Sequence, residues 1–341
     1  MITDVEIKEI RHLLKKAERP LFFYDDDPDG LSSFLLLRRY CGKGRGIVVK
    51  SSPVIDQEYV SKIHEVRPDM VFILDKPIVK QEFVDEANTP IVWIDHHEPA
   101  PVDHVKYFNP RKENDKDNRS TSHWCYEIAK QDMWIAACGI LGDWFVPEFE
   151  EELIKKYPEL MGHSDDPGVL LYTTELGKLV RIFSAVLKGT TGDTNKCTSI
   201  LLKIDDPYEI LHETTPRGKY IYRKYVKVHQ IYEKLLKKAI SKVKKGKLLL
   251  FTYPSMKLSF TGELSNELLY LYPDKVIVIA REKTDRVIMS MRSKNLSLPP
   301  IIKRCLEGLD GYGGGHEHAC GGNVSKGDFD MFINRLTKEV K

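Results

Sequence analysis

Three short apolar runs in the first hundred residues each end directly in acids or histidines. "PLFFY" (20–24) leads into Asp25, Asp26, Asp27 and Asp29 and stops at Gly30. "MVFIL" (70–74) leads into Asp75, and "IVWI" (91–94) into Asp95, His96 and His97. A fourth run, "GIVVK" (46–50), has the same β-rich make-up, and helix-like stretches over 30–40, 57–66 and 79–87 separate the four. Apolar strands alternating with helices predict βαβ units and a parallel sheet with both faces covered. In such a sheet ligands bind beyond the carboxyl ends of the strands. Three of the four expected strands therefore deliver candidate ligands to one edge.

The remainder reads as helices and then a second α/β unit. After Asn109-Pro110 comes a charged loop, "RKENDKDNR", and helical patterns continue to about residue 204. In "GKYIYRKYVKVHQIYEKLLKKAISKVKK", Ile221, Tyr225, Val228, Tyr232, Leu235 and Ala239 recur at steps of three and four and mark one face of a long helix. "KLLLFTY", a helix over 264–271, "KVIVIARE", "RVIMSMRS", a Gly-rich segment and a final helix follow. The expected organisation is an N-terminal parallel-sheet domain over 1–206, a basic helical linker over 207–246 and a smaller α/β domain over 247–341.

Composition narrows the function classes. No run of about 18 apolar residues exists, so no transmembrane helix and no membrane partner are expected. The opening "MITDVEIKEIRHLLKK" is amphipathic and lacks an apolar signal core, which predicts a cytoplasmic protein. Six scattered cysteines without a C-x-x-C pair point to neither a zinc ribbon nor a disulfide framework. Net charge is +2, but residues 217–247 hold 12 Lys/Arg against Glu233, a net of +11, leaving −9 on the rest. A basic stripe on an acidic body suits a polyanionic partner, or else a solvated helix face. Tyr220 and Tyr222 are candidates to stack bases, whereas Tyr225 and Tyr232 on the apolar face read as core.

The acidic loop invites comparison with a calcium loop. Asp25, Asp27, Asp29 and Gly30 fit positions one, three, five and six of an EF-hand. Position twelve, which needs a bidentate Glu, is Leu36, and an apolar strand rather than a helix precedes Asp25. A plain strand-to-helix turn accounts for one or two acids, not four. Asp75 alone, or Asp95-His96-His97 alone, reads as an ordinary polar turn. Together they make a carboxylate and imidazole set suited to Mn2+, with Mg2+ or Co2+ as alternatives, rather than to zinc–thiolate chemistry. So many acids around one pocket imply two ions, which at about 3.5–4 Å apart activate water and stabilise a displaced phosphoryl group.

Other candidates are weaker when taken singly. Asp143, in "GILGDW", reads only as an acid in an apolar helical stretch. His316 and His318 lie among Gly313, Gly314, Gly315, Gly321 and Gly322, glycines that permit close backbone approach and expose N–H groups to an anion. A flexible loop and an H-x-H metal site are the other readings. Arg292, followed by Ser293, ends "VIMSM" and suits either bidentate phosphate contact or a surface ion pair. Ser120-Thr121-Ser122 reads as a helix N-cap cluster.

"DPDG", "ILD", "DHH" and "GILGD", in that order, resemble the four motifs of the DHH phosphoesterase superfamily. "GYGGGHEHACGG" resembles the G-G-G-H motif of its DHH-associated substrate-binding domain. The resemblance implies that Asp27 and Asp29 each bind one metal, that Asp75 bridges them, and that His96 and Asp143 complete the set. His97 is implied to stabilise charge on the scissile phosphate, and Asp95 to orient a histidine. Arg292, Ser293, Gly314, Gly315, His316 and His318 are implied to contact substrate. Many members carry a histidine four residues before the first motif aspartate; here that position is Phe23. Asp25 stands where RecJ-like members have an extra aspartate, and it is the expected replacement ligand.

The activity so implied is that of a two-metal phosphodiesterase with its active site between the two domains. The first expectation is a RecJ-like exonuclease on single-stranded DNA or RNA, with replication or repair proteins as further partners. The runner-up is an oligoribonuclease or 3′-phosphoadenosine 5′-phosphate phosphatase, since the oligonucleotide-binding fold of larger RecJ proteins is not evident. An inactive replisome scaffold of this family would have decayed ligands, and here the principal ones are all present.

Overall fold

The computed structural model describes residues 1–50 and 52–340. The chain forms two compact units, residues 1–226 and 227–341. The helix Pro216–Ser241 carries the chain from one to the other.

The first unit is built on strands β1 (Pro20–Asp25), β2 (Arg45–Val49), β4 (Met70–Leu74), β6 (Ile91–Ile94) and β7 (Val105–Phe108). They form one sheet in the order β2-β1-β4-β6-β7, parallel at every pairing. Two-residue strands β3 (Val54–Ile55) and β5 (Ile78–Val79) pair separately. β7 carries no clear signal in the sequence: it is four residues long and includes Lys106, too short and too polar for a buried-strand pattern.

Successive residues of β1 serve opposite faces of the sheet. Leu21 and Phe23 join Val71, Ile73, Ile91 and Trp93 in one core, with Ile63 and Phe83 from the helices Val60–Val66 and Gln81–Ala87. Phe22 stacks on Phe72 with centroids 5.1 Å apart, and Tyr24 on Phe34 at 4.6 Å, beneath the helix Pro28–Cys41. That helix packs against the helices Thr121–Ala129 and Met133–Gly142. Both faces are covered, which is why the strands carry unbroken apolar runs.

The second unit has strands β8 (Leu248–Pro254), β9 (Val276–Glu282), β10 (Arg286–Arg292), β11 (Gly311–His316) and β12 (Ala319–Ser325), in the order β11-β12-β10-β9-β8. The Gly-rich segment is thus a strand pair rather than a loop, with Gly313 opposite Gly322 and Gly314 opposite Gly321. Glycine has no strand propensity to read, so only the pairing reveals it. The helix Leu298–Leu306 is likewise hidden in the sequence, because its prolines sit at the first turn, where they are tolerated. The periodic positions of the long basic helix, Ile221 to Ala239, are all buried, including Tyr225 and Tyr232. All six cysteines are free, and five are buried. Among the described residues no helix is long and apolar enough to cross a membrane.

Candidate metal centre

The carboxyl ends of β1, β4 and β6 bring their acids and histidines together as the parallel order requires. β4 lies between β1 and β6 in the sheet, so Asp75 falls between the Asp25–Asp29 loop and the Asp95–His97 turn. Asp143 arrives from another direction, as the C-cap of the buried helix Met133–Gly142. Three groups of side chains each offer ligand atoms within 4.8 Å of one another: Asp25, Asp27 and Asp75; Asp75, His96 and His97; Asp29, His96 and Asp143. Leu36, the position that would close a calcium loop, is buried in the helix Pro28–Cys41.

Each ligand candidate is held by identifiable bonds. Asp27 caps the helix Pro28–Cys41, its Oδ1 accepting from Gly30 N at 2.8 Å. Asp29 accepts from Thr121 N at 2.9 Å and Ser122 N at 2.8 Å, the first amides of the helix Thr121–Ala129. A helix N-terminus favours such an anion. Thr121 Oγ1 donates to Asp75 Oδ1 at 3.1 Å. His96 Nδ1 lies 3.2 Å from the Asn118 carbonyl, which only accepts, so Nδ1 carries the proton. Its Nε2 is left as the donor atom, 3.5 Å from both Asp75 Oδ1 and Asp143 Oδ2. His97 Nδ1 meets Asp95 Oδ1 at 2.7 Å, and His97 N donates to Asp95 Oδ2 at 2.9 Å. Asp95 is wholly buried and is also bonded by Asn109 Nδ2 and Tyr107 Oη.

Two glycines let these segments approach. A Cβ on Gly30 would lie 2.6 Å from Asp25 N and 2.7 Å from Asp25 O, and one on Gly142 would lie 2.7 Å from Pro28 Cβ. Gly30→Ala is therefore expected to displace the acidic loop and lower metal-dependent activity roughly 10²-fold, the scale of an ångström misplacement. Steady-state rates at saturating Mn2+ check this, with circular dichroism confirming the fold.

The electrostatics are those of a site short of positive charge. Burial, then the charge of Asp27, pushes the Asp25 carboxyl up to about 7 even against the opposing charge of Lys76. Asp75 and Asp143 are held well above the usual carboxylate range, first by burial and then by Asp29 and Asp27. The Asp27 carboxyl is raised by its desolvation among the neighbouring acids, although the residue itself is exposed, and then by the charge of Asp29. Asp143 Oδ2 is buried and has no hydrogen-bond partner. An orphaned buried oxygen, clustered acids and an imidazole with Nε2 facing them fit oxygen- and nitrogen-liganded divalent ions.

Phe23 lies in the sheet core with its ring edge-on to Tyr59 and Phe83, so it has no part in this pocket. Arg292 Nε donates to Asn266 Oδ1 at 2.7 Å, and its Nη1 to Ser290 Oγ and two backbone carbonyls. Ser293 is buried, its Oγ accepting from Asn295 N and Leu296 N. Gly314, Gly315 and His316 lie on β11, and His318 Nδ1 meets the Leu296 carbonyl at 3.2 Å. Among the described residues His316 and His318 belong to no metal-competent group.

Sequence reasoning misses several supports. Thr121 reads only as part of a cap, and Asn118 contributes a backbone carbonyl that no motif records. Asn109 and Tyr107 lie on or beside the hidden strand β7. Lys76, fully buried against Asp25, resembles a surface lysine after a strand end.

The model described as the DHH family N-terminal domain matches residues 21–161, and that of the DHHA1 domain matches residues 254–341. The chain belongs to the DHH phosphoesterase superfamily. No curated protein matches it in sequence. RecJ from Thermus thermophilus in complex with Mn2+ shares 17% identity and a TM-score of 0.67, over 98% of this chain and 54% of that one. This DHH chain thus spans about half the length of that RecJ. The DHH domain of a member of a ribosomal-protein family shares 18% identity and a TM-score of 0.70, over 98% and 89%. A pGpG-specific phosphodiesterase from Vibrio cholerae shares 15% identity and a TM-score of 0.51, over 95% and 99%. At these identities the likeness is one of fold.

Proposed function

We propose that this DHH protein is a two-metal-dependent phosphodiesterase, a RecJ-like exonuclease that trims single-stranded DNA or RNA from an end. The observation that carries the reading is the convergence of Asp27, Asp29, Asp75, His96 and Asp143 on one pocket, with His96 Nε2 facing Asp75 and Asp143. Asp25, Asp27 and Asp75 would hold one divalent ion, Mn2+ by the donor set, and Asp29, His96 and Asp143 a second, with Asp75 between them. Bound there, the ions lower the pKa of water and draw charge from the phosphoryl oxygens.

The rest of the work falls to side chains. Asp95, buried and bonded on both oxygens, fixes the His97 ring through Nδ1. With Nδ1 donating to Asp95, His97 in its imidazolium form would donate from Nε2 to a phosphoryl oxygen as charge grows there. Thr121 and the amides of Thr121 and Ser122 keep Asp75 and Asp29 from rotating away. In the second unit, Arg292, Ser293, Gly314, Gly315, His316 and His318 are the proposed contacts for the substrate end. The net +11 of residues 217–247 supports a polyanionic substrate.

One observation favours a second reading, hydrolysis of short oligonucleotides or of 3′-phosphoadenosine 5′-phosphate. The chain matches a pGpG-specific phosphodiesterase from Vibrio cholerae over 95% of its own length and 99% of that chain. Both readings are tested by incubating the protein and Asp75→Ala with Mn2+ and four substrates: end-labelled single-stranded DNA, single-stranded RNA, a dinucleotide and 3′-phosphoadenosine 5′-phosphate. A ladder from the long strands supports the exonuclease; cleavage of the small substrates alone supports the second reading. No cleavage, or equal cleavage by the variant, removes both.

A further inference from the structure

Lys76 follows Asp75 directly, and its side chain is 0% exposed. A lysine is almost never fully buried unless it is paired. Its Nζ reaches Asp25 Oδ1 at 2.9 Å and the Ser52 carbonyl at 2.5 Å. Its own carbonyl accepts from Trp93 Nε1 at 2.9 Å, which fixes the backbone beneath it. Consecutive side chains of an extended strand point to opposite faces. Here two neighbours both reach the β1 loop, because Asp75 adopts a left-handed φ of 59°. That conformation is uncommon outside glycine and asparagine-like residues, and it marks the point where the chain turns Lys76 back towards Asp25.

The pairing divides Asp25 in two. Oδ1 accepts from both Lys76 Nζ and Asp26 N, the latter at 2.7 Å, so Oδ2 is the oxygen left for an ion. Charge arithmetic points the same way. Asp25, Asp27, Asp29, Asp75 and Asp143 bring five negative charges to the three ligand groups. Two divalent ions supply four positive charges, and Lys76 is a fifth that is part of the chain. Among the described residues, no comparable lysine or arginine partner meets the Asp29, His96 and Asp143 group.

We propose that Lys76 is a positioning residue that holds Asp25 by one oxygen and makes the two metal sites unequal, the Asp25–Asp27–Asp75 site binding its ion more weakly and second. This rests on the two-metal reading above. Lys76 opposes an incoming cation there by its own charge and occupies Asp25 Oδ1, while Asp29 of the other site accepts only uncharged backbone amides, one on each oxygen, and so faces no such opposing charge.

The test is isothermal titration of the metal-free protein with Mn2+, with electron paramagnetic resonance to report when two bound ions become neighbours. Wild type is expected to bind two Mn2+ in separated steps. Lys76→Met should tighten the weaker step at least tenfold and bring the two together; an unchanged or weakened second step overturns the proposal. Asp25→Asn, which leaves Lys76 unmatched, should lose the weaker step. Asp25→Asn with Lys76→Met should recover it, which keeps the test decisive even where Lys76→Met alone fails to fold. Failure of that rescue also overturns the proposal. Wild type that takes up no Mn2+ would end the two-metal reading itself, whereas normal two-step binding without hydrolysis would end only the proposed activity.

Discussion

Asp75→Asn is expected to abolish Mn2+-dependent hydrolysis by at least about 10³-fold while leaving the metal-free protein folded and more heat-stable than wild type. Asp75 belongs to two of the three ligand groups and is buried. A divalent ion contributes several kcal/mol of charge stabilisation in a phosphoryl-transfer transition state, and about 4 kcal/mol corresponds to roughly 10³-fold in rate. The stability gain follows from the same crowding. The Asp75 carboxyl is raised by burial and by the charges of Asp29, Asp27, Asp25 and Asp143, and asparagine removes one member of that repulsion without changing shape. Measured kcat and the metal-free melting temperature should therefore move in opposite directions. If both fall together, Asp75 supports the fold rather than the ions.

The ligand edge is legible in the sequence because the parallel sheet obliges strands β1, β4 and β6 to end on one side, and each ends in a ligand type. Asp25 to Asp29, Asp75, His96 and His97 need no other knowledge than that rule. Asp143 is not legible in this way. It comes from a helix C-terminus far along the chain, and only the fold brings its Oδ2 to 3.5 Å from His96 Nε2. The cluster Ser120-Thr121-Ser122 does start a helix, as its residue types predict, with Ser120 Oγ accepting from His123 N. Its second duty, presenting Thr121 and Ser122 amides to Asp29, depends on a contact 92 residues away in sequence. Lys76 is invisible for a different reason. A lysine after a strand end is ordinarily solvated, and its burial follows from the left-handed turn at Asp75, a conformation that aspartate tolerates but that its presence at a strand end does not announce.

The metal-free protein is expected to lose stability as pH rises from about 4 to about 7, and added Mn2+ to reverse that trend. A carboxyl whose folded-state pKa lies above its unfolded value binds more protons in the folded state. Stability from it is fully present below the unfolded value and is lost as pH rises through the folded one. For Asp25 those limits are 3.8 and about 7, and Asp27, Asp75 and Asp143 are raised in the same direction. Because these groups titrate together, their joint effect is on the order of 2–4 kcal/mol. That corresponds to roughly 5–10 °C in melting temperature for a unit of this size. Asp69, Asp117 and Asp328 act oppositely, since hydrogen bonds or ion pairs lower their pKa and their stability is lost as pH falls. The pocket is therefore isolated by subtracting the melting curve of Asp25→Asn/Asp75→Asn from that of wild type at each pH. Ions need the same carboxylates deprotonated, so the Mn2+-induced rise in melting temperature should be small at pH 5 and several-fold larger at pH 8. An equal rise at both pH values would show that the ion binds away from these carboxylates, and a pH-independent difference between wild type and variant would show that their crowding is relieved by some means other than protons or metal.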